Sequence, residues 1–143
     1  MRIIKTRITS ITLAAAAALL SLAVATPAHA AASDCPSGSA CIWREAGYVT
    51  GSSGTNYLSF SQYQANYVSV QYRDKVSGND TADSVYNNGN YESTRWYEHW
   101  FHGGSYFTLP RKVGDSDLNN TTGAVASNWH DRISSAYFAS FWP

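Results

Sequence analysis

The sequence predicts an all-β domain built from two similar units. After residue 30, short runs rich in Tyr, Val, Trp and Phe alternate with Gly, Asn, Ser and Asp, and no stretch has helical periodicity. This is the pattern of short strands joined by turns. The chain also contains a degenerate repeat that occurs twice. Two copies indicate one duplicated supersecondary motif, because a solenoid needs at least three.

Each copy of the repeat opens with two aromatic residues and a glycine and closes with an acidic segment that contains serine. The openings are Trp43, Tyr48 and Gly51 in the first copy and Trp96, Phe101 and Gly103 in the second. The closing segments are residues 80–86 and 131–137. The offset between copies is 53 residues for the aromatic pair and 51 for the closing serines. Two units of nearly equal length therefore follow one another.

Seven strands are predicted in chain order, each an aromatic or β-branched run bounded by turn residues. They are Ala40–Arg44, Asn56–Phe60, Val68–Tyr72, Ser84–Tyr86, Arg95–Trp100, Ser105–Leu109 and Ser134–Ala139. Glycines at 51–54 and 103–104 indicate sharp turns with positive φ. The loop 87–90 predicts the joint between the units, and 114–124 a polar loop. A short helix in Ser61–Tyr67 or Leu118–Asn120 is the alternative to an entirely β chain.

The first thirty residues are predicted to be a secretory signal peptide. Basic residues at the start precede an uncharged apolar stretch from Ile8 to Val24, and Ala28-His29-Ala30 has the small-x-small pattern of a cleavage site. An uncleaved membrane anchor is the alternative, but the apolar stretch is at the short limit for a span. We expect a secreted domain of residues 31–143 that has no membrane contact after cleavage.

Charge and cysteine content narrow the function of this domain. Residues 31–143 contain seven Lys and Arg against ten Asp and Glu, a net charge near −3, which is unlike the basic surface of a nucleic-acid-binding protein. Cys35 and Cys41, the only cysteines, have five residues between them. In an oxidising compartment they are expected to form a disulfide that fixes the N-terminus. The closed ring is worth about 2 kcal/mol by loop-closure entropy.

The repeat resembles the βγ-crystallin Greek key, in which an aromatic, four residues, an aromatic, one residue and Gly precede an Asn/Asp-Asn/Asp-x-x-Ser/Thr-Ser segment. The second unit matches this opening at Trp96–Gly103, and the first has one extra residue before Gly51. The resemblance implies one sandwich domain of two tandem Greek keys, about 35–88 and 91–140. The opening Cys35–Trp43 also resembles a secreted bacterial peptidase-inhibitor family built on this fold, with members that inhibit metalloproteinases.

The closing segments resemble the calcium-binding segments of that fold. Calcium takes six to eight oxygen ligands, which Asn, Asp and Ser supply. The candidate ligands of a weak calcium site are Asn79, Asp80, Asp83, Asp131 and Ser134. His130 stands where the pattern has Asn or Asp and removes one oxygen. The structural alternative is that these side chains cap turns and that Ser84 and Ser135 brace the two openings. No cofactor is expected to be required.

Other chemistry finds little support in the sequence. His99, His102 and His130 lack the thiolates or matched acid of a typical zinc site. There is no G-x-S-x-G motif for a nucleophilic serine, so we expect a protein that is not an enzyme. Trp100, His102, Trp129 and the terminal Phe141-Trp142-Pro143 have no partner in the repeat as aligned above. They form either an exposed binding patch or part of the core.

Two functions follow from these observations. The first is a monomeric secreted inhibitor of extracellular peptidases, which the resemblance implies are metalloproteinases. Its candidate binding loops are Gly51–Asn56, Lys75–Asp80 and Pro110–Thr122. Family inhibitors can carry a second disulfide near the binding region, and this chain has no cysteines left for it. The second is a non-inhibitory βγ-crystallin module that binds calcium weakly or binds a cell surface or cell wall.

Overall fold

Eight short strands form the framework of the part of the chain that the structure describes. The structure is a computed structural model, and it describes residues 31–51 and 56–143. The strands are β1 (Ala40–Trp43), β2 (Tyr57–Phe60), β3 (Tyr63–Gln64), β4 (Ser84–Asn87), β5 (Thr94–Tyr97), β6 (Tyr106–Leu109), β7 (Gly114–Asp115) and β8 (Ser135–Phe138). Three single-turn 3-10 helices occur at Ala32–Asp34, Tyr67–Ser69 and Ala139–Phe141. The predicted all-β class is confirmed. Within the described residues, no helix is long and apolar enough to cross a membrane.

The strands form two antiparallel four-stranded sheets that exchange one strand each. The first sheet has the order β2-β1-β4-β7 and the second β3-β8-β5-β6. β3 lies in the first half of the chain but pairs with β8, and β7 lies in the second half but pairs with β4. Each half of the chain therefore completes the sheet of the other half, which is the interlocked arrangement of paired Greek keys. Neither half has a complete sheet by itself.

The core lies between the inner faces of the two sheets. Ile42 and Val85 from the first sheet and Trp96 and Ala136 from the second are fully buried. Phe60 bridges the sheets, since its ring lies 5.5 Å from that of Trp96. Because side chains alternate between the faces of a strand, the neighbours of these residues point outward. Further buried residues from the loop after β7 close the core: Leu118, Val125, Trp129 and Ile133.

The predicted strand Val68–Tyr72 is wrong. The chain makes a 3-10 turn at Tyr67–Ser69, where the Asn66 side chain accepts a hydrogen bond from the Val68 N–H at 2.8 Å. Beyond it only a single bridge forms, between Gln71 and Ser77. A capping asparagine therefore prevails over the β propensity of the Val-Ser-Val-Gln-Tyr run. Neither Ser61–Tyr67 nor Leu118–Asn120 is an α-helix, and the 3-10 turn begins only at Tyr67.

The sequence alignment of the two repeats is also wrong by one residue. In the structure, Trp43 pairs across the ladder with Ser84, and the residue that pairs with Ser135 is Tyr97. Trp43 and Tyr97 are 54 residues apart and point away from the core, whereas Trp96 points into it. A shift of one residue reverses the face of every side chain in a strand. Both Trp43 and Trp96 are fully buried, so burial alone could not distinguish them.

The corrected alignment assigns His102 as the counterpart of Tyr48. Trp43 meets Tyr48 edge-on with 5.2 Å between ring centroids, and Tyr97 meets His102 edge-on at the same distance. Tyr48 and His102 both have positive φ, at 60° and 66°. This left-handed conformation is uncommon for a non-glycine residue. An imidazole therefore replaces the second aromatic ring of the motif.

The closing serines hold these corners, as the sequence predicted. Ser84 Oγ donates to the Glu45 carbonyl at 2.8 Å and accepts from the Tyr48 N–H at 3.1 Å. In the second unit, Ser135 Oγ donates to the His99 carbonyl at 2.7 Å. Because both serines are fully buried, each hydrogen bond satisfies polar groups that water does not reach.

Candidate functional site

The disulfide between Cys35 and Cys41 is present and buried. The Cα atoms are 5.8 Å apart, and both residues are at most 1% exposed. Within the ring, Gly38 has a φ of 81°, which a side chain rarely adopts. Its N–H donates to the Asn88 carbonyl at 3.0 Å. The predicted disulfide is confirmed, and it fixes the ring against the joint between the two repeats.

The asparagine residues of that joint take part in a network of hydrogen bonds. The Asn88 amide donates to the Cys35 carbonyl at 2.6 Å. The Lys112 ammonium donates to both the backbone and side-chain oxygens of Asn88, at 2.9 and 2.7 Å. Arg111 donates to the Asn90 carbonyl at 3.3 Å. We call the surface formed by residues 36–39, 88–91 and 110–112 the disulfide platform. In this platform, hydrogen bonds connect residues 110–112, the disulfide ring and the joint to one another.

The sequence indicated residues 87–90 only as a joint, and the hydrogen-bond partners of their side chains were not predicted. Asn87 is fully buried and its side chain makes three hydrogen bonds. A cluster of three asparagines in one tight segment was the available signal, since buried Asn amides satisfy backbone groups in turns. Their partners lie up to 53 residues away, so the pairing depends on the tertiary fold.

The candidate loop Lys75–Asp80 begins in the tight turn Tyr72–Ser77, which is anchored at the buried residue Tyr72. Tyr72 is 1% exposed, and its N–H and carbonyl bond to Val76 and Lys75 at 2.9 and 3.0 Å. The Arg44 guanidinium lies 2.7 Å from the Asp74 carboxylate. The hydrogen bond from Arg44, and a second from the Val76 N–H to Asp74 Oδ1 at 3.2 Å, hold the pKa of the Asp74 carboxyl below its ordinary value. The turn therefore presents exposed side chains on a hydrogen-bonded backbone.

The candidate loop Pro110–Thr122 is held at several points without a disulfide. It includes β7, and Asp115 is nearly fully buried. The Asp115 carboxylate accepts from the N–H of Asp117 at 3.0 Å and from the N–H of Val125 at 2.8 Å. Leu118 is fully buried, and its N–H donates to the Asp83 carbonyl. Only part of this loop is therefore available to a partner. Of the third candidate, Gly51–Asn56, residues 52–55 lie outside the described residues.

The two closing segments face each other at the opposite end of the domain. The Asp80 N–H donates to the Ile133 carbonyl at 3.0 Å, and the Asp131 N–H donates to the Ala82 carbonyl at 3.2 Å. These contacts are equivalent under the 51-residue offset of the repeat. Both aspartates have positive φ, near 50°. The candidate calcium ligands are thereby divided between two places related by the internal symmetry.

The first place contains Asn79, Asp80 and Ser134. Ser134 Oγ donates to Asp80 Oδ1 at 2.9 Å, and the Asn79 amide donates to Asp80 Oδ2 at 2.6 Å. Asn79 Oδ1 is buried and has no hydrogen-bond partner among the described residues. Such an oxygen costs free energy unless a donor or a cation satisfies it. The donor set here is entirely oxygen, as calcium requires.

The second place contains Asp83, His130 and Asp131. His130 Nε2 lies 2.9 Å from Asp83 Oδ1, and His130 Nδ1 lies 3.2 Å from Asp131 Oδ2. Only a ring protonated on both nitrogens donates to both carboxylates. Burial raises the pKa of the Asp83 carboxyl, and the adjacent His130 opposes that rise. The imidazole lies between the two carboxylates, so a calcium ion there would have to displace it.

The predicted aromatic patch is divided between the core and the surface. Trp129 is buried, with its ring 4.8 Å from that of Phe107. Trp100 is 54% exposed. His102 stacks on Tyr137 at 3.6 Å on the outer face of the second sheet, and Trp142 stacks over the guanidinium of Arg95 at 3.9 Å. The core interpretation therefore holds for Trp129, and the surface interpretation for Trp100.

Comparison with solved structures identifies the class of fold. A structure solved in a study of the evolution of the eye-lens βγ-crystallin domain fold has a TM-score of 0.55 and 20% identity, covering 76% of this chain and 92% of that one. A βγ-crystallin from Ciona intestinalis has a TM-score of 0.49 and 11% identity, covering 71% and 99%. At such identity the first likeness shows the fold alone. The protein has a βγ-crystallin-type fold.

A family model then identifies the protein within that class. The model of peptidase inhibitor family I36 matches residues 28–109, which is more than half of the 143-residue chain. The chain belongs to this family, and it is a peptidase inhibitor by family and not an enzyme. No curated protein matches the sequence.

Proposed function

We propose that the protein is a secreted inhibitor of extracellular metalloproteinases that acts as a monomer. The observation that carries the proposal is the match to the inhibitor family, which includes the disulfide ring and the joint of the disulfide platform. The signal-peptide pattern in residues 1–30 and a disulfide support secretion, because disulfides persist in oxidising compartments. The metalloproteinase class follows from the resemblance in the N-terminal segment.

The physical basis of inhibition is a binding loop whose conformation is fixed before the peptidase arrives. A preorganised loop avoids the entropic cost of ordering on binding. The resemblance implies that a second disulfide can stiffen the binding region, and this chain has no cysteines left for one. Hydrogen bonds perform this function instead: Lys112 binds Asn88, and Asp115 binds the N–H of Val125. These contacts support inhibition without further cysteines.

Titration of a purified metalloproteinase of the thermolysin type tests the proposal. We expect stoichiometric loss of peptidase activity while the protein stays uncut on a gel. A serine peptidase and a cysteine peptidase, assayed in parallel, test the class. Unchanged activity of the metalloproteinase at micromolar excess contradicts the proposed target, and unchanged activity of all three contradicts the inhibitor function.

Two substitutions then locate the binding loop. Arg111→Ala alters the disulfide platform, and Lys75→Ala alters the Tyr72–Ser77 turn; both side chains are exposed. Surface substitutions usually change stability by less than about 0.5 kcal/mol. A larger inhibition constant in one of these variants therefore reports a lost contact with the peptidase. The loop whose variant is impaired is the binding loop. If neither is impaired, the remaining candidate Gly51–Asn56 is scanned.

A calcium-modulated, non-inhibitory module is the second candidate function. The buried, unsatisfied Asn79 Oδ1 beside Asp80 and Ser134 favours it. A rise in melting temperature with CaCl₂ that is absent with MgCl₂, together with no effect on proteolysis, would support it over the inhibitor. Retention of the protein on cell-wall polymer would support the surface-binding form of the same candidate.

A further inference from the structure

A pocket opens beside the disulfide platform, between the joint of the two repeats and the C-terminal 3-10 turn. Its volume is about 240 Å³, and three aromatic rings line it, those of Tyr91, Phe138 and Phe141. The carboxylate-bearing Glu92 and the hydroxyl-bearing Ser61 also line it. The pocket is smaller than the roughly 300–1,000 Å³ that hold whole small-molecule ligands. Its size suits a single side chain.

The Glu92 carboxylate is fixed and charged at this pocket. Its two oxygens accept hydrogen bonds from the backbone N–H and the hydroxyl of Ser140. These bonds hold the pKa of the Glu92 carboxyl below its ordinary value. Each carboxylate oxygen has a further acceptor site. The cations of the adjacent turn, Arg111 and Lys112, donate to asparagine oxygens of the platform.

Tyr91 supplies an exposed aromatic surface next to this carboxylate. Its side chain is 91% exposed, although a tyrosine ring is a large apolar surface to leave in water. Phe141 is 37% exposed, while Phe138 is nearly buried and belongs to the core. The pocket thus has an apolar floor, an accessible ring at its edge and one ionised acid.

We propose that this pocket receives an arginine or lysine side chain of a partner protein. The aliphatic stem of such a side chain packs on apolar surface while its charged end reaches a polar group. Here the floor is Phe138 and Phe141, and the cation lies between the face of Tyr91 and the Glu92 carboxylate. A cation is attracted to both an aromatic face and a carboxylate. The domain's net charge near −3 also favours a cationic group. The proposal goes beyond peptidase inhibition and does not require it.

NMR titration of the ¹⁵N- and ¹³C-labelled protein with short blocked peptides tests this site. The probes are acetyl-Gly-Arg-Gly-amide, its lysine analogue and, as the neutral isostere of arginine, acetyl-Gly-citrulline-Gly-amide. We expect saturating shifts at Tyr91, Glu92 and Phe141 with a Kd on the order of 1 mM for the cationic peptides. The citrulline peptide should bind about tenfold more weakly, because it lacks the charge.

Three variants make the test specific. Glu92→Gln removes the charge but keeps an acceptor for Ser140, and should weaken binding of the arginine peptide about tenfold. Tyr91→Ala should also weaken it, and its exposed ring makes a folding defect an inadequate explanation. Glu45→Gln removes one exposed charge elsewhere and should leave binding unchanged. The proposal is overturned by the absence of saturating shifts up to about 10 mM peptide, by equal binding of the citrulline peptide, or by unimpaired binding in both pocket variants.

Discussion

Replacement of Asn87 tests whether the joint between the repeats holds the domain together. The side chain is fully buried at the end of β4. Its amide nitrogen donates to the Glu92 carbonyl at 2.9 Å and to the Leu109 carbonyl at 3.2 Å, and its oxygen accepts from the Gly89 N–H at 2.9 Å. Asn87→Ala removes all three hydrogen bonds and leaves their backbone partners without them.

The expected loss follows from these contacts. A typical intramolecular hydrogen bond contributes about 1 kcal/mol net, and an unsatisfied buried partner adds to the cost. Three such bonds predict a fall of about 3–5 kcal/mol in the free energy of unfolding, against a total of about 5–15 kcal/mol for a typical domain. The melting temperature should fall by roughly 12–25 °C.

Urea unfolding followed by tryptophan fluorescence measures this change, because Trp43 and Trp96 are buried reporters. The slope of the transition should stay constant, so that a change in midpoint reports stability. Asn119→Ala is the matched control: Asn119 is exposed and accepts one hydrogen bond, from Asn128, so we expect a change below about 0.5 kcal/mol. A loss below about 1 kcal/mol in Asn87→Ala would refute the reasoning, since it would mean that water satisfies the freed groups.

Three further predictions concern the disulfide, alkaline pH and calcium. Replacing Cys35 and Cys41 by Ser should lower the free energy of unfolding by about 2 kcal/mol in urea titrations, and an unchanged midpoint would contradict this. Burial is the largest cause that raises the pKa of Tyr48 and of Tyr72 from 10.0 to about 12 in the folded protein. As the pH rises, the unfolded chain therefore loses these protons before the folded protein does. The free energy of unfolding should be unaffected below pH 10 and should fall as the pH rises towards 12. A urea midpoint that stays constant from pH 10 to 12 would count against this prediction. His130→Asn should increase the rise in melting temperature caused by CaCl₂, because it replaces an imidazole by an oxygen ligand, and equal responses of variant and parent would argue that His130 does not block the site.

The strand and turn content of the chain could be predicted because it depends on local chemistry. The predicted regions Ala40–Arg44 and Ser105–Leu109 contain β1 and β6, since aromatic and β-branched runs between turn residues favour strands. The closing serines were correctly expected to brace the openings. The failure at Val68–Tyr72 is also local, because the prediction followed the β-branched run and not Asn66, whose side chain caps the 3-10 turn in the structure.

The alignment of the repeats shows a limit of pattern reasoning. Trp96 and Tyr97 are adjacent aromatics, and either fits the opening of a motif that begins with an aromatic residue. Which one faces the core is decided by the ladder, where Tyr97 pairs with Ser135. His102 was not aligned with Tyr48 because an imidazole was not expected at an aromatic corner. Its role became visible only from its contact with the Tyr97 ring.

The sequence by itself determined the β class, the duplication, the disulfide pair and the family resemblance, because each is recorded in residue type and spacing. Only the tertiary structure decided the exchange of β3 and β7 between sheets, the links of the asparagine joint to the disulfide ring, and the position of His130 between two aspartates. It alone also placed Tyr91 and Glu92 around one pocket. These features join residues far apart in the chain, and their pairing depends on the burial of two sheets against one another.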